Sequence, residues 1–217
     1  MNAPDTAVAD PLADFLTRVE ARLQPLPAGP GFPDAGDIRG DHDLDPSMAL
    51  PPDIPARPAA VLVPVVMRPE PTVLLTRRSS ALPEHSGQIA FPGGKIDPDD
   101  STPIAAALRE AEEEIGLKPA HVAPLGFLDV YLSRTGYRIL PVVAVVTPPF
   151  ELKLNPREVA AAFEVPLAFL MAPEHHERHT RLWKGRERTY YAMPYGDHYI
   201  WGVTAGILRN LWERVYR

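Results

Sequence analysis

The most constraining feature of this chain is a segment in which apolar and carboxylate side chains occupy opposite sides of one predicted helix. The apolar stripe repeats at heptad-like spacing and comprises Ile104, Leu108, Ala111 and Ile115. At about 100° per residue, Glu110, Glu113 and Glu114 lie nearly opposite that stripe. The pattern predicts a helix that buries one face in a core and presents three carboxylates to a cleft or to solvent.

Capping signals delimit the same helix. Ser101 or Thr102 is suited to the N-cap, and Pro103 falls near the first helical position, where proline is tolerated. Gly116 is a natural stop, because glycine readily adopts the left-handed conformation at a helix end. We therefore predict that the helix begins near Pro103 and ends before Gly116.

The three carboxylates form an unfavourable pattern for an ordinary helix surface. Side chains three and four residues apart share a face, so Glu110, Glu113 and Glu114 repel one another. Hard divalent cations prefer clusters of oxygen ligands. We therefore interpret these glutamates as metal ligands, with Arg109 bracing Glu113 through a charge-assisted hydrogen bond. An acidic helix face that is merely solvated is the alternative.

Two consecutive glycines precede the acidic loop that leads into this helix. Gly93 and Gly94 indicate a backbone that turns sharply or approaches a ligand closely. An exposed carbonyl at this point is a hard oxygen ligand of the kind that joins carboxylates around a cation. Gly94 is therefore a further candidate metal ligand through its carbonyl.

The stretch from Gly94 to Leu117 resembles a Nudix box. That motif runs from a glycine through a short acidic loop to Arg-Glu, an aliphatic residue, any residue, Glu-Glu, any residue, Gly and an aliphatic residue. Residues 109–117 read Arg-Glu-Ala-Glu-Glu-Glu-Ile-Gly-Leu and match the second half in full. The loop is one residue longer than usual, and Asp100 or Asp97 stands where an early glutamate is expected. The resemblance implies the Nudix fold, an α/β/α sandwich with a mixed sheet.

Segments outside the box are similar to the coenzyme A pyrophosphatase branch of that family, over about residues 58–212. The similar segments are Leu74–Ser79, Gly87–Gly94, Ser133–Tyr137 and Ile200–Ala205. Pro83 stands where this branch often has an arginine. The resemblance implies cleavage of coenzyme A or acyl-coenzyme A to 3′,5′-ADP and 4′-phosphopantetheine or its acyl form. It also implies an extra catalytic glutamate, for which Glu158 is the best later candidate.

The chemistry of pyrophosphate cleavage needs neutralised phosphoryl oxygens and a positioned water. Mg²⁺ or Mn²⁺ supplies the first and lowers the pKa of bound water for the second. Both ions take the same oxygen ligands, so the choice between them stays open. The general base is one of the three box glutamates or Glu158. The alternative role of Glu158 is a first-turn acid of a helix predicted from Pro156 to Phe163.

Several side chains are candidates for substrate binding. Arg77 and Arg78 end a predicted strand, and guanidinium groups suit phosphate bidentately. Further candidates come from the glycine loop and a later turn, namely His85, Arg134 and Tyr137. Solvated arginines, a structural histidine and a tyrosine at the edge of the core are the alternatives. We expect core positions for Trp201 and Trp212, and the histidines at 175, 176 and 179 lack the carboxylate or cysteine frame of a zinc site.

Composition excludes several classes of partner and environment. The 217-residue chain has a net charge of −6 and no basic tract, so we expect no nucleic-acid partner. It contains no apolar run of about 18 residues and no secretory signal, so we expect no membrane association. Cysteine is absent, which fits a reducing cytoplasm and excludes disulfides and thiolate ligands. A homodimer stays open as an assembly state.

Proline placement divides the chain in two. Asp10-Pro11 predicts the start of a short amphipathic helix, followed by a proline-rich arm, so residues 1–57 form an extension and residues 58–217 the hydrolase domain. Predicted strands and helices alternate after residue 58, which favours the α/β class. The strands are predicted at residues 59–67, 72–76, 125–131 and 139–147, and a last helix at residues 205–215. Pro141 predicts an edge position or a bulge.

Two other functions remain as alternatives. One is a Nudix hydrolase acting on another nucleoside diphosphate derivative, such as ADP-ribose. The other is a non-catalytic module that senses nucleotides. The intact glutamates at 110, 113 and 114 argue against such a module, because a binding domain has no need of a repulsive triad.

Overall fold

The structure, a computed structural model, describes residues 10–26, 29, 31–32, 37–49, 56–83, 85–183 and 185–217, and only the backbone of residues 183 and 186. The α-helices in this part are α1 (Pro11–Arg22), α2 (Pro103–Ile115), α3 (Leu167–Leu170) and α4 (Val203–Val215). The strands are β1 (Ile38–Gly40), β2 (Arg57–Val66), β3 (Thr72–Arg78), β4 (Ile89–Ala90), β5 (Gly93–Lys95), β6 (Val122–Phe127), β7 (Val130–Leu132), β8 (Tyr137–Val146), β9 (Val159–Pro166), β10 (Glu177–Trp183), β11 (Arg186–Tyr195) and β12 (His198–Trp201). Short 3-10 turns occur at Asp41–Asp43, Pro46–Met48, Pro119–His121 and Pro173–His175.

A mixed sheet forms the centre of the fold. Strands β2 and β8 run parallel along their whole length, from Arg57 beside Tyr137 to Val66 beside Val146. Strand β2 is antiparallel to β3 and β5, and β3 continues the sheet to β4 and β9. The near-continuous valine and leucine content of β2 and β8 suits strands that are covered on both faces.

Helices cover both faces of this sheet. On one face, Ala106, Ala111 and Ile115 of α2 pack with alternate side chains of β2 such as Leu62. On the other face, α1 and α4 pack over the remaining side chains of β2 and β3. The predicted α/β/α sandwich with a mixed sheet is confirmed.

A second sheet of three antiparallel strands, β10–β11–β12, lies beside helix α4. Met193 and Ile200 are fully buried and join the core on the α4 side of the main sheet. This small sheet is the part of the chain that the sequence did not resolve into elements, because its strands are rich in charged residues and poor in alternating apolar ones.

The N-terminal segment is packed into the same core. Asp10 caps α1 by accepting a hydrogen bond from the Leu12 amide, and Phe15 and Val19 are buried, so the predicted helix is confirmed. Strand β1 pairs in parallel with β7. Asp41 is buried and binds Arg188 of β11 at 2.7 Å. The boundary at residue 57 stays a prediction, and residues 27, 28, 30, 33–36 and 50–55 of the predicted arm lie outside the described residues.

The helix predicted from Pro156 to Phe163 is wrong. A turn at Asn155, whose carbonyl accepts hydrogen bonds from the Glu158 and Val159 amides at 3.0 and 2.8 Å, leads instead into strand β9. Strand β9 pairs antiparallel with β3. Alanine-rich segments have high helix propensity, but pairing with a strand that is free on one side overrides this local preference.

Pro141 does not lie at an edge. Strand β8 has β2 on one side and both β6 and β7 on the other, and Pro141 faces the interruption between those two strands. There the Leu128 amide donates to the Pro141 carbonyl at 3.0 Å. The missing N–H of proline is tolerated where the neighbouring ladder is irregular, and residues 125–131 consequently form two strands rather than one.

None of the helices in the described ranges combines the length and apolar character that crossing a membrane requires.

Candidate active site

Helix α2 carries the predicted carboxylates and has the predicted ends. The Thr102 hydroxyl accepts a hydrogen bond from the Ala105 amide at 3.0 Å, and Pro103 is the first helical residue. Gly116 terminates the helix in the left-handed conformation, with φ of 71°. These local contacts fix the register of the helix, and with it the direction in which each glutamate points.

Three carboxylates meet beside this helix. One oxygen from each of Glu110, Glu114 and Glu158 lies within 4.8 Å of the others, and among the described residues this is the cluster of metal-type ligands that the structure forms. Glu114 is buried. Glu113 is not one of these three; its side chain is 57% exposed and pairs with Arg109, whose Nη1 atom also binds Glu110. Its role as a metal ligand therefore stays a prediction.

The paired glycines lie directly against these carboxylates. The Gly93 amide donates a hydrogen bond to Glu114 Oε2 at 3.2 Å. A side chain at Gly93, which has φ of +148°, would come within 2.5 Å of the Ala60 carbonyl. A Cβ at Gly94 would come within 2.6 Å of the Glu110 carboxylate. Only glycine allows the backbone to approach the cluster this closely, which agrees with the reason for which the pair was singled out.

The electrostatics of the cluster favour a positive ligand. The pKa of Glu114 is raised to about 7, mainly by burial and also by the neighbouring charges of Glu110 and Glu158, against the opposing hydrogen bond from Gly93 and the charge of Arg78. Burial also raises the pKa of Glu110, against the opposing influence of Arg109. Clustered carboxylates that hold their protons this firmly are the environment in which a divalent cation relieves repulsion.

Arg109 organises the acidic side chains around the helix. Its guanidinium binds Asp100 through two hydrogen bonds of 3.0 Å, from Nε and Nη2. Its Nη1 atom also donates to Glu110 at 3.1 Å and to Glu113 at 3.2 Å. Of the two acidic-loop residues, Asp100 is the one that Arg109 hydrogen-bonds, because Asp97 Oδ2 lies farther from Arg109 Nη2, at 3.8 Å. Arg109 thus braces three carboxylates, where the sequence predicted one.

Glu158 reaches the cluster from outside the helix. It ends the turn before β9, where its carbonyl accepts from the Ser79 amide at 2.8 Å and its carboxylate from the Asn155 side chain at 2.8 Å. The alternative role as a first-turn helix acid is wrong, because the following residues form a strand. The structure therefore brings the predicted extra glutamate to the two glutamates of α2.

Arg77 and Arg78 diverge at the end of β3. The charge of Arg78 acts on Glu114, and its buried Nε atom has no hydrogen-bond partner within the described part of the chain. Arg77 lies on the other face, with Nη2 at 3.0 Å from His198 Nδ1. His85 is exposed, adopts φ of 59° and contacts Gln88 Oε1 at 3.0 Å, so it shapes the loop that returns to β4.

The remaining substrate candidates lie on the turn between β7 and β8. Arg134 Nη1 donates to the Met48 carbonyl at 2.8 Å and so ties the turn to the N-terminal segment. Tyr137 packs partly against the core on the α4 face, with the Arg57 guanidinium 4.1 Å from its ring centroid. The structure thus gives both residues structural partners, and their contact with substrate stays a prediction.

The histidines and tryptophans have identifiable partners. His175 and His176 contact the carbonyls of Phe169 and Leu170 at 3.0 and 2.7 Å. Trp212 packs against the core, as expected. Trp201 is instead half-buried at a cavity, which it lines with Gln88, Asp197 and Tyr199. The sequence did not single out Asp197 and Tyr199, whereas Gln88 and Trp201 lie in the segments Gly87–Gly94 and Ile200–Ala205, which resemble the coenzyme A pyrophosphatase branch.

The geometry brings together three carboxylates that could hold a divalent cation, beside a glycine backbone and near arginines. A family model, the NUDIX domain, matches residues 56–184. A relative from Escherichia coli K12, named an uncharacterized Nudix hydrolase NudL, is 43% identical over 155 residues, covering 71% of this chain and 81% of the relative. A relative of the same name from Photorhabdus laumondii is 45% identical over 161 residues, covering 73% and 85%.

The chain belongs to the Nudix family. It is a Nudix hydrolase, in a family that generally uses divalent metal ions and binds small nucleotide derivatives. Among solved structures, DR0079 from Deinococcus radiodurans aligns with a TM-score of 0.49 at 16% identity, covering 77% of this chain and 88% of that chain. A MutT/nudix family protein from Enterococcus faecalis aligns with a TM-score of 0.48 at 18% identity, covering 80% and 67%.

Proposed function

We propose that this protein hydrolyses the pyrophosphate bond of coenzyme A or acyl-coenzyme A, giving 3′,5′-ADP and 4′-phosphopantetheine or its acyl form. The observation that carries the proposal is the convergence of Glu110, Glu114 and Glu158 within 4.8 Å of one another. Carboxylates at this spacing repel one another unless a cation lies among them. Such a site is suited to substrates whose own charge also needs neutralising, as a pyrophosphate does.

The donor set fits Mg²⁺ or Mn²⁺. All candidate ligands are hard oxygen atoms, which both ions prefer. Glu110, Glu114 and Glu158 would hold the metal, with the Gly94 carbonyl and Glu113 as further predicted ligands. When bound, the metal supplies neutralisation of the phosphoryl oxygens and a bound water of lowered pKa.

The side chains of the protein hold the metal-binding carboxylates in position and supply positive charge for the substrate phosphates. Arg109 holds Glu110 through its Nη1 atom, which keeps that carboxylate beside the Gly94 backbone. Arg78, whose charge acts on Glu114 of the cluster, is the candidate guanidinium for binding a phosphate oxygen. Glu158 is a candidate general base, because its position at a turn leaves it outside the rigid helix that carries the other two glutamates.

The choice of coenzyme A over other nucleotides rests on the segments that resemble the coenzyme A pyrophosphatase branch. Two arginines of those segments, Arg77 and Arg78, stand on either face of the sheet at one strand end. A substrate with both a pyrophosphate and a separate 3′-phosphate needs cations at two places, and this arrangement offers them. Pro83, where that branch often has an arginine, is exposed in the same loop.

The direct test is hydrolysis by the purified protein of coenzyme A, 3′-dephospho-coenzyme A and ADP-ribose, each with Mg²⁺, with Mn²⁺ and with EDTA, with products identified by mass. We expect 3′,5′-ADP from coenzyme A, formed faster than products from the other two and abolished by EDTA. Preference for ADP-ribose would contradict the substrate assignment. Absence of metal-dependent turnover with all three would contradict the proposal as a whole and favour a nucleotide-sensing module.

A cytoplasmic location and a homodimeric assembly stay predictions of the sequence. Subcellular fractionation and light scattering of the purified protein would test them.

A further inference from the structure

A second recess lies across the end of β3 from the carboxylate cluster. It has a volume of about 510 Å³, and Arg77, Gln88, Asp197, Tyr199 and Trp201 line it. Arg77 faces this cavity, whereas the next residue, Arg78, acts on Glu114 of the cluster. The two sites are therefore separated by the thickness of the sheet at one strand end.

The floor of the cavity is an aromatic surface on one face of the small sheet. Tyr199 and Trp201 are two residues apart on β12, so their side chains point to the same face. Their ring centroids are 6.4 Å apart, with only 31° between the ring planes. Tyr199 is 41% exposed, which leaves its ring accessible to a planar ligand.

Hydrogen bonds hold this aromatic surface in place. His179 Nδ1 lies 2.7 Å from the Tyr199 hydroxyl, and the Tyr190 hydroxyl lies 3.4 Å from it. Tyr190 also meets Trp201 edge to face, at 5.2 Å between centroids. A rigid aromatic platform stacks a planar base with little loss of side-chain entropy, so stacking of this kind favours binding of a nucleobase.

Cations and hydrogen-bonding groups surround the platform. The Arg181 guanidinium carbon lies 4.9 Å from the ring centroid of Trp201, a lining residue of the cavity, and Arg77 lines the cavity itself. Arg181 is exposed, so its donors are available to an anionic ligand. Asp197 and Gln88 offer groups that pair with the amine and ring nitrogens of a base. An aromatic surface flanked by arginines suits a planar base joined to a phosphate.

We propose that this cavity binds the nucleoside end of the substrate, with adenine on Tyr199 and Trp201 and the ribose 3′-phosphate on Arg181 and Arg77. The inference rests on the proposed function, because it assigns one half of the coenzyme A molecule to a place on the chain. It makes Arg181 and Arg77 the residues that distinguish coenzyme A from 3′-dephospho-coenzyme A.

Calorimetric titration of the full chain in EDTA tests this assignment without turnover. The ligands are 3′,5′-ADP, 5′-AMP and 4′-phosphopantetheine, which represent the two halves of the substrate and the nucleotide without its 3′-phosphate. We expect 3′,5′-ADP to bind about tenfold more tightly than 5′-AMP, as a charge-assisted hydrogen bond would produce. The Tyr199→Ala variant should weaken both nucleotides about tenfold.

Arginine variants provide the matched comparison. Arg181→Ala should reduce the advantage of 3′,5′-ADP over 5′-AMP several-fold and leave 5′-AMP binding unchanged, with Arg77 retaining the rest. Arg178→Ala is the control, because Arg178 is an exposed arginine of the same strand whose guanidinium lies against Tyr191 on the opposite face. Circular dichroism of each variant confirms that the sheet is intact.

The outcomes separate this inference from the proposed function. Binding of 4′-phosphopantetheine that depends on Tyr199, or nucleotide binding that neither variant alters, would overturn the nucleoside assignment. If the wild type hydrolyses coenzyme A under either result, the proposed function stands without this site. Nucleotide binding with the expected pattern in a protein that does not hydrolyse coenzyme A would support the site and overturn the proposed function.

Discussion

At the scale of single residues, the site depends on placing a carboxylate where water cannot stabilise it. Glu114 is buried, accepts one hydrogen bond from Gly93 and lies beside two other carboxylates. Burial of an ionised carboxylate costs free energy unless a cation or several donors compensate. We therefore interpret Glu114 as part of a site for a divalent cation, because its burial lowers the stability of the metal-free protein.

Replacing Glu114 with glutamine separates its contribution to metal-dependent turnover from its effect on the stability of the metal-free protein. Glutamine keeps an acceptor for the Gly93 amide but removes the charge, so metal-dependent turnover should fall by more than about 100-fold. The apo protein in EDTA should unfold at the same or a higher temperature, since the repulsion is gone. The matched control is Glu112→Gln, an exposed position on the same helix, which should change neither quantity. Full turnover in the Glu114 variant would contradict the assigned cluster.

A second prediction at this scale concerns His176. Its pKa is lowered mainly by burial, although its contact with the Leu170 carbonyl opposes this shift. The native state therefore resists protonation that the unfolded state accepts, and this residue's contribution to stability is lost as pH falls below about 6.5.

The His176→Gln variant tests that contribution, because glutamine can still donate to the Leu170 carbonyl. Its free energy of unfolding should depend less steeply on pH than that of the wild type between about pH 7 and pH 5. Urea denaturation at several pH values measures both slopes. Identical slopes would contradict the role assigned to His176.

At the scale of elements, the approach of β5 to β2 and α2 decides whether the cluster forms. Both neighbours of Gly93 are fixed, since Ala60 belongs to β2 and Glu114 to α2. Gly93→Ala would place a Cβ 2.5 Å from the Ala60 carbonyl in a backbone conformation that only glycine adopts readily. We expect a loss of about 3 kcal/mol in the free energy of unfolding, together with loss of turnover.

Gly196→Ala is the comparison for this prediction. Gly196 also has positive φ, at +53°, but a Cβ there would meet nothing within 4 Å. The Gly196→Ala variant should therefore lose only about 1 kcal/mol of unfolding free energy, which is the cost of the backbone conformation alone. Urea denaturation measures both variants, and equal costs would mean that the close approach at Gly93 is not what requires glycine.

Elements also show where sequence reasoning succeeds and where it fails. The apolar stripe, the Thr102 cap and the Gly116 stop are local signals, and they predicted helix α2 correctly. The segment after Asn155 has equally local helix-forming residues, yet it pairs with β3 as a strand. Its conformation depends on a partner far away in the chain, which no window of sequence contains.

At the scale of the whole molecule, the N-terminal helix belongs to the core beneath the sheet. Phe15 is fully buried and packs with residues of the α4 face, opposite the helix that carries the glutamates. Truncating it to alanine should lower the free energy of unfolding by about 3–5 kcal/mol, because the large cavity cannot collapse fully. Turnover per folded molecule should stay unchanged.

Thr17→Ala is the control for the same helix, because Thr17 is exposed. Its effect on stability should stay within about 0.5 kcal/mol. Thermal and urea unfolding measure both variants, and activity is compared below the unfolding transition. A stable Phe15 variant would mean that residues 10–24 act as an arm separate from the hydrolase domain.

The sequence alone determined helix α2, the two glycines that approach it and the class of chemistry, because these rest on contacts between residues close together in the chain. Periodicity places Glu110 and Glu114 on one side, and helix caps need only their neighbours. Tertiary structure alone decided that Glu158 joins Glu110 and Glu114, that Arg109 also holds Asp100 and Glu110, and that Arg77 and Arg78 serve opposite faces. Those arrangements follow from how β3, β9 and the small sheet pack together. Contacts between segments so far apart in the chain produce no periodic pattern in the sequence of either segment.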